Sequence, residues 1–142
     1  MSEPHISIRD LTMAYGPSVI QRDLNFDINK GDIFVIMGGS GCGKSTLLKH
    51  MLGLLDPAKG DIFYNDQSFF QASMKQQDDM RQRWGITYQS GGLFSAMTLA
   101  GNVNLPLQLY TQYSASDRED IIAYKLALVG LGGYQNYYPS EI

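Results

Sequence analysis

Gly38-Gly39-Ser40-Gly41-Cys42-Gly43-Lys44-Ser45-Thr46 meets the pattern G-x-x-x-x-G-K-[ST] through Gly38, Gly43, Lys44 and Ser45. Each residue type has a physical reason to be there. Glycines let the backbone curl until successive N–H groups point inward, a concavity suited to phosphate oxygens. The Lys44 ammonium is a mobile point charge with the reach to meet β- and γ-phosphates. The Ser45 hydroxyl suits a Mg²⁺ bridging the same phosphates. The stretch therefore predicts a nucleotide phosphate loop in which Gly38, Gly39, Ser40, Gly41, Cys42, Gly43, Lys44, Ser45 and Thr46 bind the nucleotide and Ser45 the metal.

The flanks agree with that reading. Asp32-Ile33-Phe34-Val35-Ile36-Met37 is a short apolar run rich in β-branched and aromatic residues, which predicts a buried strand. After the loop, apolar residues at 47, 48, 51, 52 and 55 recur at helical spacing, with Asp56-Pro57 as the expected stop. A helix starting at the loop adds unpaired N–H groups and a positive dipole end.

Working outward, Ile6 and Ile8 alternate with polar residues and predict a strand over 5–11. Val19, Leu24, Phe26 and Ile28 predict a second over 19–28, and residues 61–65 a third after the turn at Lys59-Gly60. Ser73 with Gln76 three residues on forms a capping box, opening a helix to about Arg83. Residues 85–89 read as a short strand leading into a Gly-rich loop. Leu99 to Leu109 reads as helix despite Pro106. Ser116 with Glu119 is a second capping box, for a helix through Val129 closed by Gly130.

Composition bounds the rest. With 142 residues, 44% hydrophobic and 18% charged, the chain can bury a core and is not a disordered type. A net charge of −3 lacks the basic excess that nucleic-acid binding needs, so no nucleic-acid partner is expected. Cys42 is the sole cysteine, so no intrachain disulfide forms, which suits a reducing compartment. The N-terminus carries neither a basic nor an apolar targeting region, and no apolar run is long enough to span a bilayer. The expected location is cytoplasmic.

Three further features resemble the ATP-binding subunits of ABC transporters: Tyr15-Gly16 upstream of the loop, Gln89 after Ile86-Thr87-Tyr88, and the turn Leu55-Asp56-Pro57-Ala58-Lys59-Gly60-Asp61-Ile62. The resemblance covers essentially all of residues 5–142. It implies an α/β P-loop NTPase fold of the ABC ATPase type. An N-terminal antiparallel β subdomain and a partial RecA-like core would occupy about 1–95, and the start of a helical subdomain about 96–142. It also implies ATP with Mg²⁺, Tyr15 stacking on adenine, and Gln89 as the glutamine that contacts Mg²⁺ or the attacking water. Gln89-Ser90-Gly91-Gly92-Leu93-Phe94-Ser95-Ala96-Met97 with Asn102-Val103 is similar to the ATPase subunit of bacterial Mla-type systems, which move phospholipid between membranes and are linked to organic-solvent resistance. The partners implied are a membrane permease subunit and a second ATPase copy. The place implied is peripheral, at the inner face of the bacterial inner membrane. Leu93, Phe94, Met97, Leu105, Leu107, Leu109 and Tyr110 would either dock the permease or form core.

Two stretches imitate other motifs of that family. Ser90-Gly91-Gly92 contains the S-G-G of the signature, but it follows the expected strand and Gln89 instead of opening a helix. Asp56 follows an apolar run like a Walker B aspartate, yet it ends the phosphate-loop helix and belongs to a turn. Asn29-Lys30-Gly31-Asp32 has the letters Asn-Lys-x-Asp of a guanine-reading motif but reads as the turn into the 32–37 run, so no GTPase is expected, and Arg81 and Arg83 read as an exposed helix face instead of a kinase lid. Pro139-Ser140-Glu141-Ile142 resembles the residues just before the family signature. The signature, Walker B strand, catalytic glutamate and switch histidine are therefore expected beyond Ile142. On that reading the 142 residues are an incomplete domain in which Lys44 and Gln89 contribute to a catalytic set not complete here. The strand at 33–37 would keep an unpaired apolar edge, and low stability is expected. The alternative function is a non-catalytic nucleotide-binding or interaction module.

Overall fold

The computed structural model describes residues 4–89 and 91–142. The chain divides into two compact units, Met1–Gly85 and Ile86–Ile142.

The first unit is built on an antiparallel sheet in the order β2-β1-β3-β4, formed by β1 (Pro4–Tyr15), β2 (Ser18–Asn29), β3 (Lys59–Tyr64) and β4 (Gln67–Ser68). β1 runs four residues beyond the expected 5–11, and a bulge is the reason the alternation hid it. Arg9 pairs with Asp61 and Thr12 with Lys59, so Asp10 and Leu11 together face the single residue Gly60. One extra residue flips the strand's parity. Ile8 before the bulge and Leu11 and Met13 after it thus all reach the same core, where each is at most 1% exposed. Asp10 takes φ 49° to make the bulge. Asn25 of β2 holds it there, its Oδ1 accepting the Asp10 N–H and its Nδ2 donating to Asp10 Oδ1, both at 3.0 Å. β4, which the sequence reading missed, returns from β3 through Asn65-Asp66. Both residues have positive φ, 47° and 63°, as a tight two-residue hairpin of this hand requires.

Ile8, Leu11, Met13 and Ile62 from the sheet meet Leu47 of α1 (Lys44–Met51), Phe69, and Met80 of α2 (Met74–Arg81). The Phe69 ring packs edge-on to Tyr64 and tilted against Trp84, with centroids 6.0 and 5.5 Å away. The α1 helix stops at Met51, a turn before the expected Asp56-Pro57. Gly53, at φ 63°, takes the left-handed position past the helix end. Its N–H donates to the His50 carbonyl at 2.9 Å and the Leu54 N–H to that of Lys49 at 2.8 Å, closing the last turn.

The α2 capping box forms as read: Ser73 Oγ accepts the Gln76 N–H at 3.4 Å, and Gln76 Oε1 accepts the Ser73 N–H at 2.9 Å. Ser73→Ala is expected to destabilise this unit by about 1 kcal/mol. Chemical denaturation followed by fluorescence of Trp84, the sole tryptophan, measures it. A midpoint equal to wild type would show that the box adds nothing.

Two predicted strands are absent. Residues 32–37 and 85–89 form no ladder. A strand exists through hydrogen bonds to a neighbour, and neither segment is paired into the described sheet. Ile33, Val35 and Met37 are 95, 67 and 85% exposed, so the segment expected to be buried is instead an open apolar edge. Its one described aromatic contact is Phe34 stacked on Phe26, with centroids 5.2 Å apart.

The second unit packs α3 (Leu99–Tyr110) against α4 (Ala115–Leu128) through Leu99, Ile122 and Leu126, with Val103 and Leu107 alongside. Leu107 thus belongs to core, whereas Leu93, Phe94, Leu109 and Tyr110 are between 51 and 64% exposed. The α4 cap is Ser114 with Asp117, two residues before the Ser116–Glu119 pair expected. Ser114 has the extended backbone that an N-cap needs, with ψ 164°. Hydrogen bonds from Ser114 hold the Asp117 carboxyl below its ordinary range. A lowered carboxyl contributes at neutral pH and loses its contribution as pH falls below the ordinary carboxylate range through that depressed value. Gly130, at φ 77°, closes α4 as read, with the Leu131 N–H donating to Leu126 O at 2.8 Å.

Candidate functional site

The loop at 38–46 is wound by glycines in left-handed conformations. Gly41 has φ 80°, and Gly43, at φ 99°, sits at the N-cap of α1. A Cβ on Gly43 would lie 2.7 Å from Ile20 Cγ2, and one on Gly38 would lie 2.5 Å from Cys42 Sγ. Gly43 is held to glycine by its φ and by the β-branched Ile20 beside it, whereas a side chain at Gly38 would have to push the Cys42 thiol aside. The same contacts show what supports the loop: it rests on the β1–β2 hairpin, where Gln21 Nε2 also donates to the Cys42 carbonyl at 3.2 Å.

Lys44 folds back over the start of the loop. Its Nζ donates to the carbonyl oxygens of Gly38 and Gly39, each at 2.7 Å. These bonds hold the ammonium among exposed backbone, so an incoming anion can replace the carbonyls without any buried group being uncovered. No side chain caps α1, and its first turn carries no acidic residue. The N–H groups of Lys44, Ser45 and Thr46 are thus left for a ligand, as at the start of any uncapped helix. Ser45 is exposed, and its hydroxyl is the kind of hard oxygen donor that Mg²⁺ accepts. The donors present fit a magnesium-bound polyphosphate.

From beneath, His50 steadies the helix start. It is 1% exposed, and its Nδ1 lies 2.8 Å from the Thr46 carbonyl. A carbonyl only accepts, so Nδ1 carries the proton. The i to i+4 spacing of Thr46 and His50 was visible in the sequence, but it is one spacing among many.

A pocket of about 200 Å³ opens beside the loop, lined chiefly by Met13, Leu24, Ile36, Met37, Cys42 and Leu47. Tyr15 ends β1 two residues after Met13 and is 45% exposed, at the end of the hairpin that carries the loop. Gln89 belongs to the second unit, where it is exposed at a turn closed by the Gly91 N–H on the Tyr88 carbonyl at 3.0 Å. Met13, Ile20 and Gln21, the hairpin residues that support the loop, escaped the sequence reading, Met13 because the β1 bulge changes its face and the other two because they reach the loop only across the folded hairpin. Among the described residues no helix is long and apolar enough to cross a membrane.

Comparison with known proteins places these features in a wider set. The family model for ABC transporters matches residues 21–138. The chain is 39% identical to the probable ribonucleotide transport ATP-binding protein mkl of Mycobacterium leprae, over 96% of this chain and 40% of that protein. It is 37% identical to the intermembrane phospholipid transport system ATP-binding protein MlaF of Haemophilus influenzae, over 100% of this chain and 54% of that protein. The chain thus spans about half, or less, of the length of these relatives. Among solved structures, a dimeric ATP-binding cassette in a post-hydrolysis state, bound to ADP and Pi, superimposes with a TM-score of 0.83 at 24% identity. The match covers 96% of this chain and 62% of that one.

Proposed function

The chain belongs to the ABC transporter family, and on that premise we propose that it binds Mg-ATP at the 38–46 loop as part of a subunit that powers transport across a membrane. The observation that carries this reading is the loop itself. Left-handed Gly41 and Gly43 deliver the chain into an uncapped helix start, and Lys44 Nζ is held by carbonyls that a phosphate can displace. The first-turn N–H groups hold phosphate oxygens, Lys44 neutralises their charge, and Ser45 gives the metal one oxygen. Magnesium supplies charge neutralisation across the same phosphates. The Tyr15 ring offers adenine a flat face, and the role of Gln89 toward the metal or water rests on the family resemblance alone.

Phospholipid is the cargo class this reading favours, supported by the likeness of Gln89–Met97 with Asn102-Val103 to Mla-type ATPases and by the 37% identity to a phospholipid transport ATPase over the whole of this chain, while a 39% identical relative is named for ribonucleotide transport. The partners are a membrane permease, met through the segment after Gln89, and a second copy of the subunit. Attachment through the permease puts the chain at the inner face of the bacterial inner membrane.

Cys42 gives a direct test. Its thiol is half-buried inside the loop, close against Gly38, so a bulky adduct there would crowd the proposed phosphate site. Mg-ATP is expected to slow alkylation of Cys42 by a maleimide at least tenfold, and the alkylated chain is expected to lose nucleotide binding. Mass spectrometry of the modified chain follows the rate. Equal rates with and without Mg-ATP would remove the phosphate loop from the proposal.

A further inference from the structure

Position 50 lies with Leu47 on the buried face of α1, where a leucine would pack without burying any polar atom. The chain has His50 there instead, 1% exposed. With the proton on Nδ1, Nε2 is a bare acceptor, and it is buried without a hydrogen-bond partner. A buried orphan acceptor is destabilising. The one described bond of the ring, Nδ1–H to the Thr46 carbonyl at 2.8 Å, does not offset this locally. That carbonyl lies within the helix, where the i to i−4 ladder already supplies a donor. The ring thus adds a second donor to a satisfied carbonyl and leaves its own acceptor unmet.

The second donor is linked to the phosphate loop. The Thr46 carbonyl and the Leu47 N–H belong to one peptide group. The Leu47 N–H donates to the Gly43 carbonyl at 2.8 Å. The Gly43 carbonyl and the Lys44 N–H are again one peptide group, and the Lys44 N–H opens the uncapped first turn of α1. Two peptide groups in a row therefore connect the imidazole to a donor left for a ligand. Each hydrogen bond in such a row polarises the next.

We infer that His50 is a positioning residue for bound phosphate: through these two peptide groups it makes the Lys44 N–H a stronger donor to an anion. This rests on the reading of the 38–46 loop as a Mg-ATP site and deepens it. Only a ring that donates from Nδ1 feeds the row.

Asparagine and leucine separate the donor from the packing. They have nearly the same shape and leave the same space where the ring was. An asparagine Nδ2 can stand in for the imidazole Nδ1, whereas leucine offers no donor. Asparagine also buries an unpaired Oδ1, so in the 142-residue chain His50→Leu is expected to melt at or above His50→Asn. Binding is expected to run the other way. Titration calorimetry should find Mg-ATP held about two- to threefold more weakly by His50→Leu than by His50→Asn, the scale of cooperative strengthening in one charge-assisted hydrogen bond. Affinities that follow the melting order would make His50 a packing residue and overturn the inference. Without nucleotide, the Leu47 amide proton is expected at a lower NMR frequency in His50→Leu than in His50→Asn, and coincident signals would overturn it too. In wild type the imidazole nitrogen shifts at neutral pH are expected to place the proton on Nδ1. A ring protonated on Nε2 alone would overturn the inference even if neither variant folds. A wild-type chain with the expected tautomer and no affinity for Mg-ATP would instead overturn the nucleotide reading beneath it.

Discussion

Lys44→Ala is expected to weaken Mg-ATP binding about a hundredfold, roughly 2.8 kcal/mol, and to leave the fold intact. The two halves of that result have separate physical origins. In the free chain the Lys44 ammonium contacts the carbonyls of Gly38 and Gly39, each at 2.7 Å. Residues 38 and 39 are exposed, so alanine leaves those oxygens to water and orphans no buried group. The stability change should stay within about 0.5 kcal/mol, the range of a surface substitution. On the proposed function the same ammonium would face phosphate oxygens once nucleotide binds, and charge-assisted hydrogen bonds contribute about 1.5–3 kcal/mol each. Titration calorimetry with Mg-ATP and denaturation followed by Trp84 separate the effects. Loss of both binding and fold would mean that Lys44 acts as a structural brace. Retention of binding would remove it from the site.

The loop, the capping box of α2 and the glycine stop of α4 were legible because each is decided locally. A left-handed residue, a cap and a phosphate-binding turn depend on a few neighbours in sequence. The family, too, was readable from Tyr15, Gln89 and the loop, and it matches the model spanning residues 21–138. What could not be read depends on distant partners. Residues 32–37 have a buried strand's composition, but composition makes a strand only when a neighbour supplies the ladder. The end of α1 was misplaced because apolar spacing continued to Leu55, while Gly53 had already turned the chain. The support of the loop by Met13 was hidden by the parity change at Asp10. Counting every second residue from Ile6 puts Met13 on the wrong face.

That parity change is also where the fold is most vulnerable, and Gly60→Ala is expected to cost on the order of 3–5 kcal/mol. Gly60 is the single β3 residue that faces the two-residue bulge in β1. A Cβ there would lie 2.4 Å from the Arg9 carbonyl oxygen and equally close to Asp10 C and O, all of them backbone atoms. Backbone cannot rotate aside as a side-chain tip can. Gly60 also holds φ 85°, a conformation that alanine adopts only under strain. Relief would require β3 to withdraw from β1 or the bulge to open. Opening the bulge slips β1 by one residue and turns Leu11 and Met13 out of the core that now buries them. Because Met13 and its neighbours on the hairpin also support Gly43, the loop should lose its seat in the same step. The variant is therefore expected to lose Mg-ATP binding together with its cooperative unfolding transition, the reverse of the pattern for Lys44→Ala. Circular dichroism melting and nucleotide titration on the same sample test this. A Gly60→Ala chain that melts like wild type would show that the two strands can part without slipping register. The placement of the phosphate loop on the bulged hairpin would then no longer follow from β3.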